Sequence, residues 1–142
     1  MQNKVKAIDK AKRGFPLVVP LLSRVPAGFP SPANDFSQDA IDLNTLVVEH
    51  PAATYYVRVQ GHSMKNAGIQ SGDLLVVDRS REFQDKNIVV AVIDGEFTIK
   101  RVCTVNSVQY LVAENDDYKP IMIRDGMNVE IWGVVTFVLH EL

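Results

Sequence analysis

The sequence predicts a mainly β protein, a curled multi-stranded sheet that carries an extended, proline-rich N-terminal arm. Three observations predict it. Short apolar runs separated by turn signals follow one another from residue 53 to the end. Only Ser37 to Leu46 offers a helix candidate, and a short one. Six of the seven prolines fall within residues 1–51. Many strands at short spacing with almost no helix are the pattern of an all-β, curled sheet.

The elements are expected in this order. Residues 1–14 form a basic tip with Lys4, Lys6, Lys10, Lys12 and Arg13, whose plain reading is a solvated segment. Pro16, Pro20, Pro26, Pro30 and Pro32 each fix φ and bias the preceding residue toward extended backbone, so no long helix crosses this region. An acidic stretch follows: Val25 to Val57 holds Asp35, Asp39, Asp42 and Glu49 but no Lys or Arg. The chain divides near residue 50, into an arm over 1–50 and a β-rich domain over 51–142.

In the second part, Tyr55, Val57 and Val59 alternate with Tyr56, Arg58 and Gln60, the period of a half-buried strand. Leu74 to Val77 follows the turn signal Ser71-Gly72-Asp73. Ile88 to Ile93 is a continuous β-branched run, as expected of a strand covered on both faces. Asp94-Gly95 signals a tight hairpin, with Phe97 to Val102 returning. Further strands are expected at Val108 to Ala113, Pro120 to Ile123 and Val129 to Leu139.

Bulk properties narrow the function. A chain of 142 residues with 46% hydrophobic and 23% charged residues can bury one ordinary core. A net charge of −2 argues against binding nucleic acid through a generally basic surface. Cys103 is the single cysteine, so no internal disulfide forms and a reducing cytoplasm is the expected compartment. The apolar stretch Phe15 to Leu22 is short and broken by Pro16 and Pro20, so neither a signal peptide nor a membrane anchor is expected. His50, His62 and His140 are scattered, so no metal site and no cofactor are expected.

Three pieces carry chemistry. Gly61-His62-Ser63-Met64 sets a serine just after a strand, where a glycine lets the chain turn sharply and present the hydroxyl. A loop serine is otherwise an ordinary polar surface residue. His62 is poorly placed as its base, because neighbours in extended chain point to opposite sides. Lys100 is the better candidate. In its strand Thr98, Lys100 and Val102 share one face, and Phe97 and Ile99 the other. A lysine in water has a pKa of about 10.4 and is no base at neutral pH, but burial disfavours the ammonium and lowers that value. The competing reading has Lys100 laying its stem over the sheet with its charge in water. The third piece is Ala27-Gly28, a bond between two small residues that proline neighbours keep extended and approachable, or else a plain linker turn.

Taken together, these residues resemble a family. Ala27-Gly28-Phe29-Pro30-Ser31-Pro32-Ala33, His50 to Val59, Gly61-His62-Ser63-Met64, Gly72 to Asp78, Gly95 to Arg101 and Trp132-Gly133-Val134-Val135 are similar, in order and spacing, to UmuD-like proteins of the LexA/UmuD family of self-cleaving Ser-Lys peptidases. The resemblance runs from about Phe15 to Leu139. It implies a sheet of the LexA/signal-peptidase type, with Ser63 as nucleophile, Lys100 as general base, Ala27-Gly28 as the bond cut, and the backbone amides of His62 and Ser63 as oxyanion donors. It further implies a homodimer and self-cleavage stimulated by the RecA nucleoprotein filament in the SOS response to DNA damage. The shortened product would then join a Y-family polymerase subunit (UmuC-like) in error-prone translesion synthesis. No helix-turn-helix precedes Ala27, so direct sequence-specific DNA binding is not expected. Pro26 is a stiff residue beside the bond, and His62 a variable position beside the serine. Two alternatives stand beside this reading. One is a signal peptidase, which shares the Ser-Met and lysine chemistry but needs a membrane anchor. The other is a non-enzymatic β-rich polymerase adaptor with a vestigial dyad.

Overall fold

A computed structural model describes residues 4–10, 18–20 and 40–142 of the chain. Ten strands and one short helix follow in order: β1 (Lys4–Lys10), β2 (Val18–Pro20), β3 (Ala40–Asp42), α1 (Leu43–Val47), β4 (Thr54–Gln60), β5 (Leu74–Asp78), β6 (Ile88–Ile93), β7 (Glu96–Val105), β8 (Val108–Val112), β9 (Ile121–Met122) and β10 (Val129–Leu139). Eight of them form one open, curled antiparallel sheet in the order β1-β4-β5-β10-β6-β7-β8-β9, and β2 pairs with β3 alone.

The expected strands after residue 53 are present, and those over Ile88–Ile93 and Val129–Leu139 have the expected bounds. Asp94 and Gly95 turn the β6–β7 hairpin with φ of 50° and 81°, the left-handed pair that matches the twist of two antiparallel strands. A second tight hairpin joins β7 to β8 through Asn106 and Ser107, also at positive φ, which carries β7 past Val102 to Val105.

The sheet is covered on both faces. Val57, Val59, Met64, Ile69, Leu75, Val77, Val90 and Ile99 form one buried cluster. Val89, Ala91, Val102, Leu111 and Val134 form the other. Val89, Val90 and Ala91 thus alternate between the two, which is why β6 needs an unbroken apolar run. The basic tip is not simply solvated: Lys4–Lys10 is a strand that pairs with β4, because Val5 and Ile8 pack against the first cluster.

Strand β10 lies between β5 and β6 and fits both by slipping register, between Ile131 and Gly133 on one side and Val135 and Phe137 on the other. The irregularity leaves Trp132 to meet Tyr55 and Phe97 edge-on, with the Arg79 guanidinium 4.5 Å from its ring centre. Gly133 is required by close approach, since a Cβ there would stand 2.6 Å from Val77 Cγ1.

The arm doubles back. Val18↔Asp42, Val19↔Ile41 and Pro20↔Ala40 are paired, so residues 21–39 connect two joined strands. Ala27-Gly28 and Pro26 belong to that connection and lie outside the described residues. Helix α1 occupies the end of the window expected to be helical; Asp42 caps it by accepting the Asn44 N–H at 3.0 Å.

Candidate active site

Strand β4 ends at Gln60, and Gly61, at φ 104°, turns the chain through a conformation that side chains resist. The Gly61 N–H is held by Ser71 Oγ at 3.3 Å. A 3-10 turn over Lys65–Ala67 follows, closed by Ala67 N–H to the Met64 carbonyl at 3.0 Å, and Ile69 N–H reaches the same carbonyl at 3.3 Å. Met64 sits fully buried in the first cluster and anchors the loop. Ser63 itself has no solvent exposure. The sequence predicts a serine that projects from its turn; in the structure it is buried, and the segment after β8 bonds to the residues on either side of it.

That segment is the link between the serine loop and the lysine strand. Asn66 N–H donates to the Glu114 carbonyl at 2.8 Å, and Glu114 N–H points at Met64 Sδ at 3.4 Å. Asn115 Nδ2 donates to the His62 carbonyl at 2.9 Å. The Glu114 carboxylate pairs with Arg101 Nε, and Arg101 is the neighbour of Lys100 in β7 and the register partner of Val112 in β8. The Ser63 loop and the Lys100 strand are therefore fastened through Glu114 and Asn115.

Lys100 is the largest fully buried side chain among the described residues, at 1% exposure. Its register partner is Val89, and Thr98 is paired with Ala91; both partners belong to the second cluster, so Thr98 and Lys100 face that side while Ile99 joins the first. The lysine therefore does not snorkel to water. Its Nζ donates to Thr98 Oγ1 at 2.9 Å and approaches the Ile99 carbonyl at 3.5 Å. Burial pushes the Lys100 ammonium down to about 8 from the usual 10.5, with no neighbouring charge contributing.

Two histidines that could compete as bases are committed elsewhere. His50 Nδ1 lies 2.5 Å from Asp78 Oδ2, and the other oxygen of Asp78 accepts the Ser80 N–H and hydroxyl. The hydrogen bond to Asp78 raises the His50 pKa. Burial works to raise Asp78, but the bonds from His50 and Ser80 outweigh it and the carboxyl is held below its ordinary range. The ionic part of this fastening is fully present from about pH 6.5 down to the ordinary carboxylate range; it is lost as pH climbs through the raised histidine value, and lost again in acid as pH falls through the lowered Asp78 value. With the Arg81–Glu49 ion pair at 2.5 Å, it fastens the segment just before β4 to the end of β5. His140 Nδ1 sits 2.6 Å from Asp73 Oδ1, whose other oxygen takes the Gln70 N–H. That pair ties the C-terminal tail to the turn before β5.

Sequence reasoning singled out Ser63, Lys100 and His62 but missed Glu114 and Asn115. Their run, Glu114-Asn115-Asp116-Asp117, reads as an ordinary polar turn after a strand, and its partner is 53 residues away in the chain.

The fold is a curled β-sheet, and comparison with known families gives its class, a serine peptidase. The profile described as Peptidase S24-like matches residues 20–136, so the chain belongs to that family. It is 44% identical over 119 residues to Protein ImpA of Salmonella typhimurium, covering 83% of this chain and 80% of that one. It is 46% identical over 121 residues to Protein MucA of Escherichia coli, covering 84% and 82%. The LexA repressor of Colwellia psychrerythraea is 41% identical over 105 residues, covering 74% of this chain and 49% of the repressor. With such relatives the chain is a UmuD-like member of the LexA/UmuD group, a serine peptidase that cleaves itself and that is tied to the SOS response to DNA damage. Among the described residues, no helix is long and apolar enough to cross a membrane.

Proposed function

We propose that Ser63 and Lys100 cut the chain's own Ala27-Gly28 bond, and that the cut converts an arm over residues 1–50 and a peptidase and dimerisation domain over 51–142 into a working accessory subunit. The observation that carries this reading is the burial of Lys100, which brings its pKa down to about 8 and makes a neutral amine accessible near physiological pH.

The chemistry is acyl transfer. Neutral Lys100 Nζ takes the Ser63 hydroxyl proton as Ser63 Oγ bonds to the Ala27 carbonyl carbon, and the π pair moves onto the carbonyl oxygen. The backbone N–H groups of His62 and Ser63 receive that oxyanion. Its collapse expels the Gly28 nitrogen, which takes the proton from Lys100. Water then attacks the Ala27–Ser63 ester, giving one proton to Lys100; the tetrahedral adduct expels Ser63 Oγ, which takes that proton back from Lys100, and the new Ala27 carboxylic acid loses its remaining proton to solvent. Each molecule makes one cut, in itself or in its dimer partner, so no turnover in the usual sense follows.

Within the same reading, the RecA nucleoprotein filament stimulates the cut, the product acts as a homodimer in the cytoplasm, and it joins a Y-family (UmuC-like) polymerase subunit for translesion synthesis. The exposed apolar residues Phe137, Val138 and Leu139 at the end of β10 support a self-associating surface. Intact-mass measurement of the purified chain during incubation tests the cut. The expected products begin at Gly28 and end at Ala27; self-cleavage at any other bond overturns the assignment.

A further inference from the structure

Asn115 holds the peptide that carries the nucleophile. Its side chain is buried, at 7% exposure, and both ends of its amide are used. Oδ1 accepts the Asp117 N–H at 3.1 Å, which commits the oxygen end to a donor and turns Nδ2 toward the His62 carbonyl, 2.9 Å away. The Asn115 carbonyl in turn accepts the Tyr118 N–H at 3.1 Å, so the residue is built into a closed turn rather than swinging from it. The His62 carbonyl also receives the Lys65 N–H at 3.3 Å. A peptide unit is planar and trans, so its C=O and N–H point in opposite directions. Fixing the His62 carbonyl therefore fixes the direction of the Ser63 N–H.

We propose that Asn115 is a positioning residue for self-cleavage. By holding the His62 carbonyl it aims the Ser63 N–H at the oxygen of the attacked carbonyl as that oxygen takes on negative charge. This rests on the assignment of Ser63 and Lys100 made above. Asn115 acts through the His62–Ser63 peptide. A misaimed donor loses part of an interaction whose outright removal costs roughly 10²- to 10³-fold in rate, so the expected loss is about 10- to 100-fold.

The test compares self-cleavage of the full chain as wild type, Asn115→Asp, Asn115→Ala and Ser63→Ala, across pH and with a thermal melt of each. Asn115→Asp has the same size and still accepts the Asp117 N–H, but offers no donor to the His62 carbonyl. The expected result is that Asn115→Asp and Asn115→Ala both lose about 10- to 100-fold at the alkaline plateau, where Lys100 is neutral in every variant. Asn115→Ala keeps the wild-type pH midpoint, and both variants melt above the assay temperature. A wild-type plateau rate for Asn115→Asp means that Asn115 merely closes its own turn, and overturns the proposal. So does a wild-type rate for Asn115→Ala, or melting of both variants below the assay temperature, which marks a residue of the fold alone. Ser63→Ala separates the two claims. If it still cuts, the nucleophile assignment fails. If it is inert while Asn115→Asp is fast, only the positioning role fails.

Discussion

Ser63→Ala and Lys100→Ala each abolish self-cleavage while leaving a folded, intact chain. The expected loss is at least about 10⁴-fold, because nucleophile and base act as one unit and removing either forfeits nearly the whole effect. The two losses have different origins. Ser63→Ala removes the atom that bonds to the carbonyl carbon. Lys100→Ala leaves the hydroxyl in place with nothing to take its proton. The fold is expected to tolerate both changes, because the cavity opened by Lys100→Ala is offset by relief of a buried ammonium and Ser63→Ala removes a single atom. Lys100 lies between Thr98 and Val102 on a face already packed by Val89, Ala91 and Leu111, and Ser63 is flanked by Met64, which keeps its own anchorage in the first cluster. Incubation followed by intact mass, with circular dichroism to show folding, checks both variants. Cutting by either at the wild-type rate would remove that residue from the mechanism.

The second large effect is on stability. A lysine whose folded pKa is lowered to about 8 destabilises the fold whenever it must be charged inside. The shift from 10.5 to about 8 corresponds to roughly 3 kcal/mol at about 1.4 kcal/mol per unit. The sign follows from proton counts. Below the folded value both states carry the proton and the full cost is felt; between about 8 and 10.5 the folded state releases its proton first and stability recovers; above 10.5 both states are neutral and the cost is gone. In a Ser63→Ala background, which keeps the chain intact, adding Lys100→Met is therefore expected to stabilise the protein by up to about 3 kcal/mol at pH 7. The advantage shrinks as pH rises from about 8 and is near zero only well above pH 10.5. Urea denaturation of the two proteins at several pH values reads it. Equal stability at pH 7 would mean that Lys100 reaches water in solution.

This cost explains a conflict within the sequence. Residues 97–102 read as a strand of apolar and small residues interrupted by Lys100-Arg101, and local physics alone favours a lysine that snorkels. The structure buries it because β7 is interior to the sheet, between β6 and β8, and is covered on both faces. The strands of the body were legible for the same reason. Ile88–Ile93 and Val129–Leu139 are long β-branched runs bounded by turn residues, and their partners are close in sequence or equally apolar. Strand β1 was hidden because its lysines mask the pair Val5 and Ile8, whose partner strand lies some fifty residues on. The extension of β7 was hidden because Asn106-Ser107 is a weaker turn signal than Asp94-Gly95.

The candidate site divided similarly. Ser63 and Lys100 could be named because each sits in a short motif with a fixed order along the chain. The bonds that hold the Ser63 loop could not, since they depend on where Glu114 and Asn115 arrive after two hairpins.

The most direct test of Ser63–Lys100 chemistry is the pH–rate profile of self-cleavage, measured on the wild-type chain beside Lys100→Ala. A buried lysine acting as base predicts a single rise in rate with a midpoint near about 8, a plateau above it, and no cleavage by the variant at any pH. A profile that is flat, or a Lys100→Ala chain that cuts with the same profile, would contradict it.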